Sequence, residues 1–202
     1  MPLSAASINI DDSVLVQRSQ SGDLEAMERL ILKYQGRIYN VILKISGNSD
    51  DTAELTQETF VKVIESIDKF KGRSSFYTWV FRIAVNLTLN YCQRNAKMAT
   101  RSLDAEDNES DSQARQGLKE FLSDDSAADP AVLAQRRELC DLAKQALLRL
   151  EEPQRTVMVL RDIEGMNYAE IADVLNIELG TVRSRLSRAR SHLREILEAM
   201  QK

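Results

Sequence analysis

Residues 168–190 leave this chain little choice of fold. Tyr168, Ile171, Ala172 and Leu175 recur at i, i+3, i+4 and i+7, which is one face of a helix. Residues 176–180 break that pattern with turn-favouring Asn176 and Gly180, and Thr181 is predicted to cap a second helix. That helix carries Val182, Leu186, Ala189, Leu193 and Ile196 on one apolar stripe. At about 100° per residue, Arg183, Ser184, Ser187, Arg188, Ser191 and Arg194 fall opposite the stripe, with Arg185 and Arg190 on its flanks. Two short helices, a tight turn and a basic second helix make a helix-turn-helix.

The outward residues suit a major groove. Arginine can bond a guanine edge through two donors, and serine can bond a base or a phosphate. Arg183, Ser184, Ser187 and Arg188 are therefore the candidate base readers, with Ser187 small for a position aimed at DNA. Arg185, Arg190 and Arg194 are the candidate phosphate contacts. A merely solvated face in an acidic protein should mix signs, whereas these arginines have only Glu195 nearby.

The rest of the chain fits an all-α protein. With 7 Gly and 3 Pro in 202 residues, strands bounded by Gly/Pro turns are hard to place. The net charge of −4 is unusual for a protein that holds duplex DNA unaided, so the basic helix is expected to act locally, beside a larger partner. Cys92 and Cys140 lie far apart and form no CxxC, so no structural zinc site is predicted. No apolar run approaches the ~18 residues of a membrane span. The first residues lack the basic and apolar regions of a signal peptide. The expectation is a cytoplasmic protein with no membrane insertion. His192, the single histidine, lies in the basic helix. No phosphate loop, metal-ligand cluster or nucleophile–base set is present, so neither catalysis nor a cofactor is expected.

Along the chain, residues 1–10 read as a loose tail. Asp11, Asp12 and Ser13 cap a first helix, Asp23 a second, and Gly47 closes the second. Asp50 and Asp51 open a third helix, acidic at its positive end. Its apolar side holds Leu55, Phe60, Val63, Ile64 and Ile67, and its polar side Glu54, Gln57, Glu58 and Lys62. A loop over residues 68–75 carries Lys69, Lys71 and Arg73, and a fourth helix spans residues 76–93 with Phe76, Val80, Ile83 and Leu87 as its buried stripe. Residues 96–130 are acidic and poor in large apolar side chains, which predicts a flexible linker, with Leu118, Phe121 and Leu122 a short docking element inside it. Two small helical domains follow, residues 11–95 and residues 131–202, the second with Pro153 near a helix start and the helix-turn-helix last.

Two motifs together resemble a known family. Asp51-Thr52-Ala53-Glu54-Leu55-Thr56-Gln57-Glu58-Thr59-Phe60, with Phe76-Tyr77-Thr78-Trp79-Val80-Phe81-Arg82-Ile83-Ala84-Val85-Asn86, is similar to region 2 of bacterial sigma factors. Tyr168-Ala169-Glu170-Ile171-Ala172, with residues 180–190, is similar to their region 4. The short length and the absence of an intervening domain resemble the extracytoplasmic-function (ECF) group of the sigma-70 family. The resemblance covers both domains, without the linker and the first ten residues. It implies binding to core RNA polymerase through Asp51, Glu54, Gln57 and Glu58. It implies melting and reading of a −10 element by Lys71, Arg73, Tyr77, Trp79, Arg82 and Asn86, and reading of a −35 element by the last helix. It also implies an anti-sigma factor as a partner.

The physical chemistry of those residues is compatible with the implied roles. Opening a duplex needs stacking surfaces for bases and cations for the displaced backbone. Phe76, Tyr77 and Trp79 beside Lys69, Lys71 and Arg73 supply both. Taken alone, Trp79 fits a core position as well as an exposed one, and Glu54, Gln57 and Glu58 fit a plain solvated face. A dimeric helix-turn-helix regulator that binds DNA without polymerase is the competing reading.

Overall fold

The computed structural model describes the backbone over residues 11–101 and 130–200, and side chains over residues 11–95 and 138–200. The expected tail and the docking element at Leu118, Phe121 and Leu122 lie outside the described residues. The helices are α1 (Asp12–Gln20), α2 (Leu24–Ser46), α3 (Ser49–Ser66), α4 (Phe76–Arg101), α5 (Pro130–Leu148), α6 (Glu152–Met158), α7 (Tyr168–Leu175) and α8 (Leu179–Met200). A 3-10 turn (Ile67–Lys69) follows α3, and a π turn (Val159–Ile163) continues α6. Among the described residues there is no strand.

Side chains with short polar arms fix the helix starts. Asp11 accepts the Ser13 N–H and Asp23 the Ala26 N–H, satisfying amides that the first turn leaves open. Asn48 does the same for Asp50, so α3 begins at Ser49, just ahead of the Asp50–Asp51 pair. Gly47, at φ +79°, ends α2 in the left-handed region and turns the chain into α3 within two residues. Asn167 and Glu170 form a reciprocal capping box at α7.

The turn of the helix-turn-helix is tighter than the sequence suggests. Asn176 takes the left-handed conformation (φ 52°, ψ 50°) and reverses the chain at once. The Glu178 carbonyl then accepts the Thr181 and Val182 N–H groups. Helix α8 therefore starts at Leu179, and Thr181 sits inside the first turn instead of capping it.

In the N-terminal unit, Leu30, Ile38, Val41, Ile42 and Ile45 of α2 meet Leu55 and Val63 of α3 and Val80, Phe81 and Val85 of α4. Two sequence expectations change here. Helix α4 runs to Arg101, past residue 93. Its buried set is Phe76, Val80, Phe81, Ala84 and Val85, while Ile83 and Leu87 are half-buried. A single stripe was the wrong template because α4 packs against three helices: α2, α3 and α7 of the C-terminal unit. Ile64, expected on the apolar side of α3, is 50% exposed, because the buried face follows Leu55, Thr59, Phe60 and Val63.

The C-terminal unit closes over Leu150, Val157, Leu160, Ile171, Val174, Val182 and Leu186. It packs onto the N-terminal unit, so that one continuous core runs through both. Helix α7 lies against α4, and α5 and the π turn lie against α2. At that seam a Cβ on Gly47 would come within 3.0 Å of Leu148 Cδ2.

Candidate nucleic-acid interface

Helix α8 presents the face read from its periodicity. Val182, Leu186 and Ala189 are buried, and Arg183, Ser184, Ser187, Arg188 and Arg194 are exposed, with Arg185 half-buried on the flank. The Ser184 hydroxyl donates to the Thr181 carbonyl (3.0 Å), which leaves its oxygen as an acceptor.

Arg190 stands apart. Its Nη2 lies 2.6 Å from Asp162 Oδ1 and its Nε 3.3 Å from Oδ2. The hydrogen bond to Asp162, reinforced by that carboxylate's charge, holds the guanidinium above its usual range. Asp162 is delivered by the π turn, whose extra residue per turn swings it toward α8. Among the described ion pairs, none holds Arg183, Arg188 or Arg194.

The other basic and aromatic group gathers where α4 begins. Ser75 caps the helix: its hydroxyl accepts the Thr78 N–H (3.0 Å), and its carbonyl accepts the Trp79 N–H. Lys71 and Arg73 stand exposed on the preceding loop, where Gly72 (φ +67°) permits the bend. Trp79 is half-buried, with its ring 5.2 Å from Phe70 and 5.8 Å from Phe76 between centroids. That makes it part of a cluster of tilted rings with one open side. The amide of Gln20 pins the loop by donating to the Ile67 and Phe70 carbonyls (2.9 Å each). Between α1 and the loop lies a cleft of about 540 Å³ bordered by Asp12, Gln20, Phe70, Lys71, Ser74 and Phe76. Sequence reading did not find this cleft, because its two walls are joined only by the fold.

Tyr77 and Arg82, from the same predicted group, face the C-terminal unit. The Tyr77 hydroxyl donates to Glu164 Oε2 (2.9 Å) and accepts from Arg37 Nη2 (2.5 Å), whose guanidinium also lies 4.1 Å from the ring centroid. Burial pushes the phenol upward, and the Glu164 carboxylate adds to it. Arg82 reaches Asp173 at 3.9 Å. Asn86 is exposed one turn further along.

Glu54, Gln57 and Glu58 are exposed on α3, and Asp51 is half-buried in its first turn. Glu58 pairs with Lys62 at 3.8 Å. Val61 and Ile64, 45% and 50% exposed, make this surface apolar as well as acidic. Isolated exposed apolar residues are ordinary. Two beside a row of carboxylates suit a protein partner better than water alone.

Known proteins match both units. Residues 30–98 fit the family described as Sigma-70 region 2, and residues 141–193 the family described as Sigma-70, region 4. An RNA polymerase sigma-H factor of Pseudomonas aeruginosa is 34% identical over 189 residues, covering 94% of this chain and 95% of the relative. An ECF RNA polymerase sigma-E factor of Escherichia coli K12 is 35% identical over 185 residues, covering 90% and 91%. A sigma factor from Bartonella quintana, solved with the anti-sigma factor NepR, shares the fold at a TM-score of 0.65 and 21% identity, covering 87% of this chain and 98% of that one.

Proposed function

The chain belongs to the sigma-70 family of RNA polymerase sigma factors, in its extracytoplasmic-function group, and on that premise we propose the roles of its surfaces. It is a promoter-specificity subunit. It binds core RNA polymerase, recognises −10 and −35 elements and directs transcription initiation. The observation that carries the reading is the one-sided basic face of α8 on a helix-turn-helix, in a chain whose other unit sets an open-sided aromatic cluster beside Lys71 and Arg73.

Each surface then has a task. Arg183, Ser184, Ser187 and Arg188 read the −35 element in the major groove, and Arg185 and Arg194 hold phosphates. Arg190 acts through Asp162 and also borders the backbone. Trp79, with Phe70 and Phe76 behind it, offers a stacking face to an unpaired base, while Lys71 and Arg73 take the displaced backbone. Tyr77, Arg82 and Asn86 line the same helix. Asp51, Glu54, Gln57 and Glu58, with Val61 and Ile64, dock on polymerase. The chemistry of RNA synthesis stays with the polymerase, so the factor works in the cytoplasm and needs no cofactor. Among the described residues, no helix is long and apolar enough to cross a membrane.

Affinity comes from tethering. Each unit binds its element weakly, and attachment to one polymerase raises the effective concentration of the second contact. An anti-sigma factor that covers the polymerase-docking faces is the regulator this reading calls for. The dimeric regulator is disfavoured, since it leaves the region 2 match without a purpose.

The direct test is binding of the labelled full chain to purified core polymerase. One-to-one saturable binding, weakened in Glu54→Ala and Glu58→Ala, is expected. No binding at micromolar polymerase would remove the reading.

A further inference from the structure

The first residue of α8 is an apolar side chain that the core does not use. Leu179 is 37% exposed, while Leu175 and Ile177 just before it are half-buried and packed against the core. Among the described residues, the exposed large apolar side chains of the C-terminal unit are Leu139, Ile163 and Leu179, and only Leu179 stands on α8. A single exposed leucine is ordinary on a protein surface. The place of this one is not.

At 100° per residue, Leu179 lies about 60° round the helix from Val182 and about 40° from Arg183. Leu179, Arg183 and Ser187 stand at i, i+4 and i+8, so they form one row along the reading face with Leu179 at its leading end. Helical side chains lean toward the start of their helix, which carries Leu179 out ahead of the first turn. In a helix-turn-helix, the N-terminal residues of the second helix are the ones that reach base edges. Gly180 beside it leaves the surface bare. A Cβ there would meet nothing within 4 Å, so packing within this chain does not ask for glycine. Glycine is a poor helix former, and its benefit here is a close approach of the helix start to a partner. The first turn of α8 also carries no acidic residue, and Glu178, exposed just ahead of it, caps the turn through its carbonyl.

An apolar arm among arginines and serines cannot hydrogen-bond a base edge. The apolar group that a major groove offers is the C5 methyl of thymine. We propose that Leu179 is a specificity-determining residue that packs on a thymine methyl in the −35 element, beside the base pair read by Arg183. The inference rests on the −35 role proposed above for α8. Four residues of helix rise about 6 Å, and base pairs stack at roughly 3.4 Å, so the methyl lies within about two base pairs of the Arg183 contact. Removing one methyl from such a contact costs roughly fourfold in affinity.

The test measures equilibrium binding of holoenzyme, reconstituted from core polymerase and the full chain, to a promoter fragment mapped by run-off transcription. Each thymine of the −35 element, on either strand, is replaced singly by deoxyuridine, which deletes the methyl and keeps every hydrogen bond. The wild type is expected to lose roughly fourfold at one thymine, within two base pairs of the pair where Arg183→Ala relaxes specificity, and little at the others. Leu179→Ala should bind the unmodified fragment roughly fourfold more weakly and no longer distinguish thymine from deoxyuridine at that place, while Leu179→Met keeps the distinction. The ratio between the two fragments is unaffected by any general loss of folding. Holoenzyme-specific binding with no deoxyuridine-sensitive thymine would overturn the methyl contact alone. So would a Leu179→Ala protein that is weaker on all fragments with the thymine-to-deoxyuridine ratio intact, or an element with no A·T pair in that range. Holoenzyme that binds no fragment better than core polymerase does would overturn the promoter reading and the contact with it.

Discussion

Arg190 and Asp162 meet in a two-pronged pair, Nη2 to Oδ1 at 2.6 Å and Nε to Oδ2 at 3.3 Å, that ties the basic helix to the π turn before it. The pair fixes how α8 stands relative to the turn that also delivers Glu164. Arg190 therefore orients the reading face. Because both partners are substantially exposed, the pair contributes about 0–1 kcal/mol to stability. Arg190→Ala should lower the melting temperature by only ~2 °C and weaken all DNA sequences alike. Arg190→Lys, which lacks the planar fork, should not restore the geometry. Calorimetry and a panel of promoter variants check both points. A loss confined to one base pair would assign Arg190 a direct base contact instead.

Arg183 and Arg188 should behave differently. Each is exposed. Alanine at either position should leave stability within about 0.5 kcal/mol of wild type. It should cost on the order of 1–3 kcal/mol at a cognate −35 element and much less at a mutated one. Binding of polymerase plus factor to matched and mutated promoters measures the difference. A uniform loss would make the residue a phosphate contact.

Trp79 is predicted to act at strand opening. Its ring backs onto Phe70 and Phe76. Trp79→Ala should slow appearance of permanganate-reactive thymines while leaving closed-complex formation nearly intact, and Trp79→Phe should keep most of the opening rate. Equal loss at both steps, together with a lowered melting temperature, would make Trp79 a packing residue.

Phe81 measures the core beneath the same helix. It is fully buried and packs at 4.2 Å between centroids on Tyr77. Phe81→Ala should cost about 3–5 kcal/mol by leaving a cavity, read by chemical denaturation of the free protein. A cost under about 1 kcal/mol would mean that α4 repacks freely.

What was legible in the sequence follows from how far each signal reaches. The helix-turn-helix face of α8 needed only local periodicity, and Val182, Leu186 and Ala189 lie buried as read. Helix starts at Asp11 and Asp23 needed only a cap residue. The start of α8 was misplaced because Gly180 reads as part of the turn, whereas it lies inside the first turn of the helix. Phe81 was missed because α4 packs against α2, α3 and α7 together, and a single stripe does not serve three neighbours. Asp162, Glu164 and Arg37 were missed for a related reason. A π turn has no sequence period, and a carboxylate between two units looks like any surface glutamate until both units are placed.

A factor of this kind confers promoter specificity on a polymerase. Run-off transcription from genomic fragments, with purified core polymerase and with or without this protein, tests it most directly. Discrete new start sites that require the protein and share two upstream elements spaced for its two units are the expected result. No protein-dependent start, together with a dimer that shifts the same fragments without polymerase, would contradict it.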